Sequence, residues 1–405
     1  MVFRLDYRAT VVGLLAIMGI GMGYNSFADT TTLVAKITER QTALGVNLLK
    51  QDVSESNSVI SPYSVYSSLM LARLGAAGEA ATALDESLAT AKGTPAAIWG
   101  AYRELGAQVI KESGTTTVAS ANSVWITDQG VFKDDFEKRA SEYLAASSHR
   151  ISFKDPNLAA QKVNAWVSER THGKIPELIQ PGMFHLDSVA ALVNALHFKA
   201  PWRSAFSLDS TVPDTFTVKN GTTKQVPMMW VIQRYRYFED ANWQAVNLPF
   251  KGEQYGFLLL VPKSDLPIEK VRDLLSADLL SKASQLAAPA RVSVHMPRFT
   301  IRQSRELSKS LTQLGLGVLF SPKADFSGIT SLALKISDIQ HEAVIEVAEH
   351  GVEAAAATAV MFSKGLAPTD HEEPKEINAN HPFAFAVVHN STQAPLFLGV
   401  IGDPT

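Results

Sequence analysis

The 405-residue chain contains no cysteine. That excludes disulfides, thiolate metal sites, a cysteine nucleophile and a lipoprotein anchor. The signatures of several common catalysts are absent too. There is no Gly-x-Ser-x-Gly elbow. There is no glycine-rich phosphate loop ending in Gly-Lys, and no zinc-binding HExxH helix. His341-Glu342 begins such a helix, but Ala343, Val344 and Ile345 follow and the second histidine is missing. An excess of either charge is also lacking. Lys plus Arg number 37 and Asp plus Glu 40, so the net charge of -3 offers nothing to a nucleic acid. No basic helix suggests a polyanionic cofactor. His371-Glu372-Glu373 lies beside Pro374 and reads as a solvated charge run rather than a metal site. No cofactor and no metal are expected.

No Pro/Ser/Gly linker, internal repeat or low-complexity tract divides the chain. A length of this size suggests two or three domains at roughly 150 residues each, yet large mixed folds exceed that value. The N-terminus reads as a processing segment. Arg4 and Arg8 precede the apolar stretch Ala9 to Gly23, and Ser26-Phe27-Ala28 then precedes Asp29. That is the order of a secretory signal peptide over residues 1–28. The rival reading is a membrane anchor, but the stretch falls short of the roughly 20 residues a span needs. Residues 29–405 are expected as one soluble domain outside the cytoplasm. Two glycosylation sequons, at Asn220 and Asn390, matter only in a eukaryotic host.

Periodicity gives a helix-rich front and a strand-rich back. Thr32 to Lys50 carries spaced apolar residues. Ser61 caps a second helix with Pro62 in its first turn, and Gly75 stops it. Further helices are expected over Ala96 to Lys111 and Leu158 to Arg170. Val189 to Leu196 suits a strand buried on both faces. Trp243 to Phe250, Gly256 to Val261, Val292 to Met296 and Ala384 to Val388 read as strands. Helices and strands interleave without a βαβ period, which predicts one α+β domain.

The segment from Glu349 to Thr358 is ambiguous. By propensity, Glu353, Ala354, Ala355, Ala356 and Ala357 form a helix. By alternation, Val352, Ala354, Ala356, Thr358, Val360 and Phe362 share one uncharged strand face. Small residues would let this backbone enter a gap between strands, and Gly351 would hinge it.

Glu349-x-Gly351-x-Glu353-Ala-Ala-Ala-Ala-Thr358 resembles the hinge of the serpin reactive loop. Other stretches resemble the family in order and spacing. They include Asn57 with Ser61-Pro62-x-Ser64, then Asn164 to Ile175, Val193-Asn194-Ala195, Phe198-Lys199 with Trp202, and Val226-Pro227-Met228-Met229. Ala324-Asp325-Phe326-Ser327 and Leu396-Phe397-Leu398-Gly399 continue the series. The absence of cysteine in an exported chain fits a bacterial member.

The resemblance implies a fold of three β-sheets, A, B and C, with eight to nine helices and an exposed reactive-centre loop, about residues 350–375. It implies a protease inhibitor used once, not an enzyme. The partner would be a serine protease, with cysteine proteases as a second class, met by a monomer. The hinge residues would be Glu349, Gly351, Val352, Glu353, Ala354, Ala355, Ala356, Ala357 and Thr358. Val352 departs from the threonine usual at its position. Ser61, Ser64, Asn194 and His341 match the shutter of sheet A, and Trp202 matches its breach. Family spacing places the cleaved bond at Gly365, with Lys364 and Leu366 as neighbours on either side. Lys364 would suit a trypsin-like enzyme. Leu366 or Phe362 would suit chymotrypsin-, elastase- or subtilisin-like enzymes. The alternatives are a non-inhibitory serpin acting as chaperone or carrier, and a secreted hydrolase whose site the sequence does not display.

Overall fold

The computed structural model describes residues 12–405 except 53–55, 91–94, 187, 219–220, 335, 338 and 353–371. The helices are α1 (Val12–Lys50), α2 (Pro62–Gly75), α3 (Gly78–Leu88), α4 (Pro95–Val109), α5 (Asp134–Leu144), α6 (Pro156–Arg170), α7 (Ile268–Leu274), α8 (Ala277–Gln285) and the single turn α9 (Ser308–Leu311). Their starts follow local chemistry. The Ser61 hydroxyl accepts from the Ser64 N–H at 3.1 Å, with Pro62 in the first turn where no N–H is needed. Asp155 and Pro156 open α6 in the same way. Almost every residue of α2 is buried, so this helix runs through the core rather than over it. The expected first helix lies within the longer α1, which also spans the expected cleavage site. Among the described residues, no helix is long and apolar enough to cross a membrane.

One sheet has seven strands. In spatial order they are β11 (Phe299–Glu306), β12 (Ile339–Ala348), β13 (Gly351–Val352), β5 (Ala190–Pro201), β3 (Thr116–Thr127) and β2 (Glu112–Ser113), with β4 (Ser147–Ile151) also on β3. The other has nine: β1 (Asn57–Ile60), β16 (Pro395–Ile401), β15 (Phe383–His389), β9 (Tyr255–Pro262), β8 (Trp243–Pro249), β7 (Thr223–Glu239), β10 (Ala288–Pro297) and β14 (Lys375–Asn378), with β6 (Val212–Thr217) on β7. The three expected sheets are therefore seen as two. The long strand β7 joins the smaller pair: its end, Arg236 to Glu239, pairs with β8, while its earlier residues pair with β6.

Strand β5 is central and runs further than its apolar stretch predicts. His197 and Lys199 interrupt the pattern, but Phe198 and Ala200 stay buried and pairing with β3 continues to Lys199. Its two faces enter different cores. Leu192, Leu196 and Phe198 join the main core with α2. Ala191, Val193 and Ala195 pack beneath α6 with Val163 and Val167.

Candidate functional site

Strands β5 and β12 meet in parallel over only four pairs, Leu192–Ile339 to Ala195–Glu342. Above these pairs the strands part, and β13 sits between them. Val352 pairs with Val347 on one side and Ala200 on the other. Between the closed pairs and β13, residues 196–199 of β5 and 343–346 of β12 have no ladder partner across this gap. A cavity of about 50 Å³ marks the place, lined by Leu196, Phe198 and Val344 with Lys174 and Ile175. The last two belong to the segment after α6, which covers the gap. That segment is tied to α6 by side chains. Asn164 Oδ1 accepts from the N–H groups of Leu178 and Ile179 at 3.0 and 2.8 Å. Thr171 Oγ1 accepts from the Ile175 N–H at 3.2 Å.

The top of the gap is built from residues 349–352. Gly351 has φ +150°, and a Cβ there would stand 2.2 Å from the Ala200 oxygen. Only glycine lets the backbone pass this close to β5. Val352 follows, 1% exposed, inside the main core. A valine is thus an apolar fit at a position where the family prefers threonine. Trp202 holds both sides of the opening. Its backbone N–H donates to the His350 oxygen at 3.0 Å, and its Nε1 donates to the Ala348 oxygen at 2.8 Å. The indole stacks on Phe250 at 4.7 Å. The Phe206 N–H donates to the Glu349 oxygen, and the buried Glu349 carboxylate faces Arg298 at 3.6 Å.

At the bottom, the closed pairs lie over a polar cluster. His341 and Asn194 are partners in the fourfold pairing. His341 Nε2 accepts from the Ser61 N–H at 3.0 Å. The proton therefore sits on Nδ1, 3.4 Å from the Ser64 hydroxyl, which in turn donates to Asn194 Oδ1. All four side chains are buried. Burial pushes His341 down to about 3, helped by the positive charge of Arg305, so the ring is neutral at physiological pH. Beside it, burial raises the Glu342 carboxyl despite Arg302 at 2.7 Å.

The residues expected from sequence thus fall into two groups. Ser61, Ser64, Asn194 and His341 converge, and Glu349, Gly351, Val352 and Trp202 frame the opening above them. Glu353, Ala354, Ala355, Ala356, Ala357, Thr358, Lys364, Gly365 and Leu366 lie outside the described residues. The sequence reading missed Asn122, whose position pairs with Asn194 in the β3–β5 register. The available signal was an asparagine within a strand of apolar and small hydroxyl residues. It also missed Arg305, which bonds Asp52, Ser58 and Gln303 close to the cluster. Among the described residues, no three His, Asp or Glu side chains converge as a metal site needs.

Known proteins share this fold. The family profile described as Serpin (serine protease inhibitor) matches residues 39–404, and the chain belongs to the serpin family. It is 34% identical over 360 residues to a serine protease inhibitor of Cyanea capillata, covering 87% of this chain and 93% of that protein. It is 32% identical over 368 residues to the leukocyte elastase inhibitor of Bos taurus, covering 86% and 93%. Among solved structures, human thyroxine-binding globulin with thyroxine matches with a TM-score of 0.83 at 26% identity, covering 92% of this chain and 100% of that one.

Proposed function

We propose that this serpin is an exported inhibitor that traps serine proteases as a suicide substrate. One observation carries the reading: Val352 is seated between β5 and β12 above a gap that only four parallel pairs keep closed. The protease serine attacks a carbonyl in the reactive loop, at Lys364, Gly365 or Leu366. The peptide bond breaks, the new amine leaves with a proton, and an ester joins inhibitor to protease. The freed chain from Glu353 onward then extends β13 downward.

Each added residue advances the strand by about 3.3 Å, so about a dozen carry the attached enzyme roughly 40 Å. Each new ladder hydrogen bond contributes about 1 kcal/mol net. Opposing this is the loss of four parallel pairs and of the cluster at His341. Alternating small residues from Ala354 to Thr358 keep the inward face free of charge, which matters because a buried unpaired charge would stop entry. The ester is held where the distorted enzyme cannot complete hydrolysis. The protein is consumed, so it is not a catalyst. Cysteine proteases, which form thioesters by the same attack, are a second target class. The signal at residues 1–28 delivers the monomer outside the cytoplasm.

Incubation with trypsin-, chymotrypsin-, elastase- and subtilisin-like enzymes should give a band at the summed mass that survives SDS. Mass spectrometry of the released C-terminal fragment would identify the bond. Only cleaved serpin, without a covalent band, would reject the reading. The similarity to thyroxine-binding globulin favours a second one, a carrier built on the same fold. A carrier would show no adduct with any of these enzymes.

A further inference from the structure

A cleft of about 560 Å³ lies where the β7–β8 ladder begins, at Arg236 and Asn247. Its volume is that of a small-molecule site. Three arginines line it, Arg203, Arg234 and Arg236, against the carboxylate of Glu253. The charge comes from β7 and from the turn after β5, not from a helix, so no basic helical pattern announces it.

Arg203 is fixed in place. Its Nη1 donates to Glu253 Oε1 at 2.8 Å, and its Nη2 donates to the Arg234 oxygen at 3.3 Å. Arg234 and Arg236 alternate along β7 and share its exposed face. Arg234 stands directly opposite Arg291 of β10, and like charges so placed repel. The chain seats an anion of its own there. The Glu372 carboxylate lies 3.4 Å from Arg234, and the Glu372 backbone oxygen accepts from Arg291 at 2.9 Å. Arg236 has no hydrogen-bond or ion-pair partner among the described residues. Tyr235, between the two arginines, also lines the cleft and is only 5% exposed. Its hydroxyl has no hydrogen-bond partner among the described residues. Burial pushes it up to about 12, so it remains a donor.

We infer that this cleft binds a compact anion carrying two or more linked phosphate groups. Guanidinium forks match pairs of phosphate oxygens, and a cleft of this volume admits more than a single phosphate. Tyr235 supplies a neutral donor. The incoming anion replaces the Glu372 carboxylate on Arg234. An extended polyanion fits less well, because Ser284 of α8 and Gln393 of the β15–β16 turn bound the cleft. The site does not depend on the trapping reading.

Inorganic triphosphate serves as the probe. Calorimetric titration of the full chain at about 0.15 M salt should show one triphosphate per chain. It should bind at least about tenfold tighter than orthophosphate. Arg236→Gln should weaken it about tenfold. Arg236→Lys should weaken it less, because the charge stays and the fork is lost. Tyr235→Phe should weaken it about threefold. Glu372→Gln should tighten it about threefold by removing the competitor. Lys162→Gln, an exposed cation on α6, should change nothing. No triphosphate binding, or equal weakening by Arg236→Gln and Lys162→Gln, would overturn the site. Dextran sulfate held through Arg236 while triphosphate is not would overturn the compact ligand in favour of an extended one. An affinity unchanged in Glu372→Gln would overturn the competition alone.

Discussion

The two sheets of this serpin are built on opposite plans. In the nine-stranded sheet, β9, β15 and β16 are antiparallel, fully buried and paired along nearly their whole length, with one register shift after Val387. Their neighbours are aromatic: Phe257 stacks on Phe385 at 5.2 Å, and Phe299 packs beside it. In the seven-stranded sheet, β5 and β12 touch through four parallel pairs, part above them, and rest below on hydroxyls, an amide and an imidazole. An apolar interface of the first kind resists separation in proportion to its buried area. A polar cluster of the second kind keeps its register while it is intact but yields at small cost once its bonds have other partners. The difference shows where a strand can be added. On the proposed function, the opening needs breakable pairs and a small-residue entrant, and the β9–β15–β16 part of the nine-stranded sheet offers neither.

Val352→Arg should break this comparison most completely. It places a guanidinium at a site that is 1% exposed between two strands. Insertion should stall and the protein should turn over as a substrate, with no SDS-stable adduct on a gel. A persistent adduct would mean that the gap is not the route of entry. Phe385→Ala acts on the other sheet. It should lower the stability by about 3–5 kcal/mol. Urea unfolding should show this loss equally before and after loop cleavage, because that sheet is not expected to change.

The pH dependence separates the sheets more finely. His341 is held near 3, chiefly by burial, in the seven-stranded sheet. His389 is held near 4, again chiefly by burial, in the nine-stranded one. Each ring is neutral in the native fold and protonates near 6.5 when unfolded. Stability is therefore unaffected above pH 6.5 and falls below it, by roughly 1.4 kcal/mol per pH unit for each histidine, until the native pKa is reached. His341→Gln and His389→Gln should each remove one of these slopes in unfolding curves between pH 6.5 and 4. Only His341→Gln should also flatten the acid dependence of adduct formation.

Much of this was legible in the sequence, and unevenly so. The cap at Ser61, the proline after it and the doubly apolar run of β5 specify local structure, so their elements appear where pattern places them. The family resemblance then named Ser61, Ser64, Asn194 and His341, which come from three distant stretches of the chain and meet where the start of α2 bonds to the β5–β12 pair. Propensity could not assign Gly351 and Val352 to a strand, because a two-residue strand has no period. Its existence depends on the parting of its neighbours and on a glycine that fits against the Ala200 oxygen. Asn122 was visible as an asparagine but not as a neighbour of the cluster, for a related reason. Its importance comes from a cross-strand partner, not from anything within its own stretch.

Ser64→Ala should have the smallest effect and the sharpest meaning. The Ser64 hydroxyl donates to Asn194 Oδ1 and lies within reach of His341 Nδ1. Removing it leaves both groups buried and short of a partner, at a cost of about 1–3 kcal/mol in the native state. If the cluster serves the closed form of the gap, the native protein should lose this stability while the loop-cleaved form loses less. Adduct formation should then become faster, since part of the barrier to opening is gone. Equal losses in both forms would make the cluster a core feature like Phe385, and the contrast between the two sheets would reduce to one of packing.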